Sequence, residues 1–225
     1  MLVFLHGYGG TGRGERDNPA FRQWAMREQT ALILPDGIDN RWSVTRERPG
    51  PRDDFAFIED VVADAQNRFA LRDIPVFLSG FSLGGSMVWS LACADPHRFA
   101  GYIAFSGAFW EPAPKECAHN GAPIVHFHGS NDPTVPPEGR EIRSGGRQAP
   151  LSRAFTAIAS ARGCTVPPVW QSLGQVTPVA ACSELSGCRT PNPLTFCEHH
   201  EGHNFRLEWL TWAIRKIEDN GVIQK

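Results

Sequence analysis

Ser82 sits in Gly80-Phe81-Ser82-Leu83-Gly84, a G-x-S-x-G pattern. A serine hydroxyl is a poor nucleophile until a neighbouring base takes its proton. The flanking glycines let the chain reverse sharply between a strand and a helix, which leaves the serine on a strained, exposed tip. A helix N-terminus behind it favours negative charge. The chemistry this suits is acyl transfer through a covalent intermediate. The bland alternative is a glycine-rich turn that holds a serine by chance.

Eight histidines compete for the role of base. His6, His126 and His128 fall in or beside apolar runs and read as structural. His97 follows Asp95-Pro96 on a turn, and His119 sits in loop-like sequence. His199 and His200 still belong to a strand, where alternation turns one of them away from any shared site. His203 follows Gly202 on a turn before the last helix, where a ring can swing over a sheet edge. It is the candidate base. An imidazole in that role needs a carboxylate to fix its tautomer and stabilise its protonated form. Asp132, in His128-Gly129-Ser130-Asn131-Asp132-Pro133, follows an apolar run and supplies one, although an Asx turn before proline is the plainer reading.

The oxyanion of acyl transfer needs preorganised donors. Leu83 N–H, next to the nucleophile, is one. The other is expected from His6-Gly7-Tyr8-Gly9-Gly10, with Tyr8 N–H first and Gly9 N–H as alternate. Trp42 and Trp110 lie just past the ends of apolar runs and are candidate walls of a substrate cleft, or ordinary rim packing. The scheme requires no metal and no organic cofactor. Cys197-x-His199-His200-x-x-His203 is a competing metal cluster, but its spacing matches no familiar zinc pattern and H-E-x-x-H is absent.

These residues must be carried by elements that share one edge. Apolar runs at Leu2–Leu5, Ala31–Leu34, Pro75–Leu78, Tyr102–Phe105, Ile124–Phe127 and Phe196–His199 read as strands. Phe55, Ile58, Val61, Val62, Ala65 and Phe69 recur at helical spacing behind Asp53-Asp54. Further helices are expected over Leu83–Ala94, Leu151–Ala161 and Phe205–Ile217, the last with Asn204 as N-cap. Residues 136–150 and 165–195 read as surface loops. Short continuous apolar strands alternating with helices indicate an α/β fold, a mostly parallel sheet with helices on both faces.

Composition bounds the rest. The chain has 225 residues, 41% of them hydrophobic and 20% charged, so it is not a disordered chain. Length and pattern fit one catalytic domain over 1–225. A net charge of −2 without a basic stripe argues against nucleic acid as a partner. No run reaches the roughly 18–20 apolar residues of a membrane span. The opening residues carry no signal-peptide pattern and read as the inside of a strand, which suggests either trimmed numbering or a natural start upstream. The oligomeric state is not legible. The six cysteines, Cys93, Cys117, Cys164, Cys182, Cys188 and Cys197, read as three disulfides or six buried thiols. Of fifteen complete pairings, the expected one joins Cys93 with Cys117, Cys164 with Cys188, and Cys182 with Cys197 across two antiparallel arms.

The order Ser82, Asp132, His203 is that of the α/β-hydrolase arrangement. His6-Gly7-Tyr8-Gly9-Gly10, Pro35-Asp36-Gly37-x-Asp39-Asn40-Arg41-Trp42, Asp53-Asp54, Gly80–Gly84, His128-Gly129-x-x-Asp132 and Gly202-His203 resemble, in order, the esterase family of polyhydroxybutyrate depolymerases and bacterial feruloyl esterases. The resemblance implies an α/β-hydrolase fold and a secreted or periplasmic serine esterase with Ser82, Asp132 and His203 at the triad positions. The implied substrate is a small-molecule or polymer-derived ester, of feruloyl or hydroxyalkanoate type. Two departures stand out. The strands that usually precede the His-Gly strand are missing or truncated, and residues 165–200 carry extra cysteines. A serine peptidase of the same fold and a non-catalytic binding module are the alternatives.

Overall fold

The computed structural model describes residues 1–119, 121–142 and 145–220. Along them run β1 (Leu2–Leu5), α1 (Gly12–Asp17), α2 (Pro19–Arg27), β2 (Leu32–Ile33), α3 (Asp54–Arg68), β3 (Phe77–Phe81), α4 (Leu83–Ala94), β4 (Gly101–Phe105) and β5 (Ile124–Gly129). Then come β6 (Arg140–Glu141), β7 (Arg147–Gln148), α5 (Leu151–Ala161), β8 (Val169–Thr177), β9 (Ala180–Ser186), β10 (Leu194–His199) and α6 (Leu207–Asp219). Eight strands form one sheet in the order β2-β1-β3-β4-β5-β10-β9-β8. The pairings from β2 to β10 are parallel, and β9 and β8 add an antiparallel edge. This is the α/β-hydrolase type of sheet, with a two-residue strand, β2, as its other edge.

Alternation along each buried strand feeds two cores. Leu2, Phe4, Ile103, Phe105, Val125 and Phe127 face Phe21 and Trp24 of α2 and Trp209 and Leu210 of α6. Val3, Leu5, Leu78 and Ala104 face Phe55, Ile58 and Val62 of α3, Trp89 of α4 and Ile158 of α5. Successive residues of a strand point to opposite faces, so runs buried on both faces must be continuously apolar. Each large side chain so buried stabilises by about 1.5–3 kcal/mol. The Trp209 ring stacks on Phe127, with centroids 5.3 Å apart, and seats α6 under the centre of the sheet.

Three expectations require correction. Residues 165–195 hold a β-hairpin, β8–β9, which extends the main sheet by pairing with β10. Its signal is hidden because most of β8 is exposed and polar, with Gln171, Ser172 and Gln175 on it. Residues 136–150 contain the small β6–β7 ribbon. Asn204 does not cap α6. Arg206 occupies the N-cap, and the Asn204 side chain accepts from Phe205 N–H instead. Helices α1 and α2 were marked only by their caps. Thr11 Oγ1 accepts from Gly14 N–H, and Asn18 Oδ1 accepts from Ala20 N–H beside Pro19.

Candidate active site

The β3–α4 junction holds Ser82 at φ 56°, ψ −117°, a conformation that costs about 1–3 kcal/mol and persists only where the surroundings impose it. They do so here. Ser82 N–H donates to the Phe105 carbonyl of β4 at 2.9 Å. Helix α4 meets β1 backbone to backbone, so a Cβ on Gly84 would lie 2.0 Å from the Leu5 carbonyl oxygen. Glycine at this position is a condition of the close approach that aims Ser82 outward.

Asp132 lies in the turn after β5 and is 2% exposed. Its Oδ1 accepts the N–H groups of Thr134 and Val135, both at 2.8 Å. Its Oδ2 lies 2.7 Å from His203 Nδ1, across 71 residues of sequence. Burial pushes the Asp132 carboxyl up. The His203 hydrogen bond and the two backbone donors outweigh it and hold the group below its ordinary value. His203 stands on the turn after β10, its ring against Phe81 at 4.8 Å between centroids. Among the described residues no hydrogen bond joins Ser82 Oγ to His203. Such contacts often close only when substrate is present.

The backbone donors sort themselves. Gly9 N–H is taken by the Asn40 carbonyl at 2.8 Å, so the alternate expected at Gly9 is not free. Gly10 N–H is taken by the Gly7 carbonyl at 3.0 Å. Tyr8 N–H and Leu83 N–H have no protein acceptor among the described residues. Both residues line the same cleft as Ser82, with a volume of about 260 Å³. Ser86, Trp110, Thr134, Arg140, Ile142 and Gln148 complete its walls. Trp110 also bounds a second, apolar cavity of about 140 Å³.

Trp42, expected at the cleft, is a correction. It is 4% exposed, its Nε1 donates to the His6 carbonyl at 2.9 Å, and its ring packs on His6. It braces the loop that carries Tyr8 without lining the cleft. The histidines beside Cys197 turn to separate partners. Cys197 is in a disulfide, His199 packs on Trp209, and His200 Nδ1 lies 2.9 Å from Ser130 Oγ. Among the described residues no three His, Cys, Asp or Glu side chains converge as metal ligands.

The sequence does not single out Arg140, Ile142 or Gln148, because the β6–β7 segment carries no periodicity. His128 and His126 do have a signal, being buried polar residues in an apolar strand. His128 Nε2 donates to the Val135 carbonyl at 2.7 Å, and its Nδ1 is 3.0 Å from His126 Nε2. Three disulfides join Cys93–Cys117, Cys164–Cys188 and Cys182–Cys197. The last links directly opposed residues of β9 and β10.

Sheet order and the strand-to-helix serine turn are those of the α/β-hydrolase fold, and the sequence matches are to esterases. Residues 52–142 match the phospholipase/carboxylesterase family. Feruloyl esterase C of Emericella nidulans is 26% identical over 215 residues, which cover 90% of this chain and 70% of that protein. The putative esterase NocK of Nocardia uniformis is 30% identical over 144 residues, and there the match spans 62% of this chain and 42% of the relative. Among solved structures, an acetyl xylan esterase from Aspergillus awamori superposes with a TM-score of 0.68 at 15% identity, covering 99% of this chain and 88% of that one. Among the described residues no helix is long and apolar enough to cross a membrane.

Proposed function

We propose that residues 1–225 form one catalytic domain that hydrolyses carboxylic esters through Ser82. The observation that carries this reading is the 2.7 Å contact of His203 Nδ1 with buried Asp132, at the strand edge where Ser82 is held at positive φ. That bond leaves His203 Nε2 to take the serine proton. Ser82 Oγ attacks the ester carbonyl, and the N–H groups of Tyr8 and Leu83 receive the oxyanion. The imidazolium returns the proton to the leaving alcohol. Water, deprotonated by His203, then attacks the acyl-enzyme, and the imidazolium returns that proton to Ser82 Oγ as the acid is released. Every step uses side chains and backbone of this chain.

The preferred substrates are feruloyl-type or hydroxyalkanoate esters. The similarity to feruloyl esterase C supports the first, and the Trp110 and Ile142 walls fit either. Three disulfides support a secreted or periplasmic setting. A fluorophosphonate probe tests the mechanism. It is expected to label Ser82 in the wild type and to leave Ser82→Ala unlabelled and about 10³-fold or more less active. No labelling of the wild type removes the enzyme reading in favour of a binding module. Turnover of methyl ferulate against hydroxybutyrate oligomers and short peptides then ranks the substrates.

A further inference from the structure

The cleft beside Ser82 is cationic, although the whole chain carries a net charge of −2. Arg140 is one of its walls. Its Nε donates to the Oε1 of buried Gln148 at 3.1 Å, and its Nη1 reaches the Pro133 carbonyl at 3.5 Å. The guanidinium is thereby tied both to the β6–β7 ribbon and to the turn that carries Asp132. Among the described residues it has no carboxylate within 4 Å, because Glu141, next to it on the ribbon, pairs with Arg147 at 2.9 Å. Two more arginines, also without a carboxylate within 4 Å among the described residues, lie near residues of the cleft wall. The Arg41 guanidinium lies 5.9 Å from the ring of Tyr8, another cleft residue. Arg48 Nη1 and the Trp110 ring both come to Gly146, within 3.6 and 3.7 Å of where its Cβ would stand.

Arg140, exposed and lacking a counter-ion among the described residues, keeps its Nη2 N–H groups available for a ligand beside the two bonds made by Nε and Nη1. A guanidinium matches a carboxylate. Trp110 and Ile142 beside it supply apolar surface. We propose that Arg140 is a specificity-determining residue and that the preferred substrate is an ester bearing a free carboxylate near the scissile bond, held by Arg140 while the rest of the molecule lies against Trp110. The proposal rests on the reading of Ser82 as nucleophile. The carboxylate has two chemical sources, a uronic acid on the alcohol side or the terminal acid of a hydroxy-acid oligomer.

Two matched pairs of substrates test it. One is 3-acetoxybutanoate against 3-acetoxybutanamide. The other is a feruloyl ester of glucuronic acid against that of glucose. The readout is the ratio of kcat/KM for the anionic over the neutral member. The wild-type ratio is expected to exceed one in the pair that carries the true source, and to fall with added salt. Arg140→Gln should lower that ratio about ten-fold or more, the size expected for one charge-assisted hydrogen bond. Arg140→Lys should keep part of the preference, and Arg140→Glu should reverse it. A ratio unchanged in Arg140→Gln for both pairs overturns the proposal while Ser82 still labels with fluorophosphonate. A wild type that does not label overturns the catalytic reading and this one together.

Discussion

His128 and Asp132 hold the two backbone groups of one residue, Val135. His128 Nε2 donates to the Val135 carbonyl at 2.7 Å, while Asp132 Oδ1 accepts the Val135 N–H at 2.8 Å. The turn that presents Asp132 Oδ2 to His203 is therefore clamped to β5 by a buried imidazole. His128→Ala should release it, and a carboxylate displaced by about 1 Å can lower turnover about 10–100-fold. The expected signature is a fall in kcat with KM little changed, partly restored in His128→Gln, which keeps a donor near the same place. Equal loss in both variants, tracking their loss of folded protein, would reduce His128 to a packing residue.

Gly84→Ala asks for space that two backbones occupy. The added carbon would meet the Leu5 carbonyl oxygen at 2.0 Å, and no side chain can move aside to relieve it. A loss of about 1–3 kcal/mol in unfolding free energy is expected from overpacking of this kind. Urea denaturation measures it, and a variant as stable as the wild type would contradict the close packing of α4 on β1.

Acid should weaken the fold before it titrates the carboxylates. Burial pushes His199 down to about 4, against a smaller upward pull from Glu201. Burial also lowers His126 and His128. An unfolded imidazole binds its proton near 6.5. Between about 6.5 and about 4 the unfolded chain therefore holds more protons than the folded one, and stability falls with falling pH. Above about 6.5 the contribution of the neutral rings is complete. Asp132, held below its ordinary value, adds a further loss only at lower pH. Urea midpoints from pH 7 to 4 should decline, and His199→Gln should flatten the slope. A flat wild-type profile would contradict the burial of these rings.

The Cys182–Cys197 bond ties β9 to β10, and β10 runs directly into the turn that carries His203. A cross-link over 15 residues constrains the unfolded chain by roughly 3 kcal/mol. Graded reduction should lower ester turnover before the far-UV signal of the parallel sheet changes, and the Cys182→Ser/Cys197→Ser variant should show the same order. Six alkylated cysteines in the unreduced, denatured protein would remove the bridges altogether.

The sequence by itself determined the parts that depend on neighbours in the chain. Leu2–Leu5 is β1 and Leu83–Ala94 is α4, because continuous apolar runs and helical periodicity are local signals. Asp53 caps α3 for the same reason. Ser82, Asp132 and His203 each stand at the end of a readable element, so the sequence could propose them together. The tertiary structure decided what depends on partners distant in sequence. Trp42 has the composition of a cleft wall, yet the carbonyl of His6, 36 residues away, draws it into the core. Tyr8 stands first and Gly9 second as candidate donor on sequence, and only the fold shows that the Asn40 carbonyl occupies Gly9 N–H. The β8–β9 hairpin shows little alternation because its outer strand faces solvent, and only pairing with β10 makes it part of the sheet. Arg140 is one arginine among many until Gln148 and Pro133 hold it beside Ser82 and Arg147 takes up Glu141, leaving Arg140 without a carboxylate partner among the described residues. A side chain's type sets what it can bond to, but which partners reach it is settled by the packing of the whole chain.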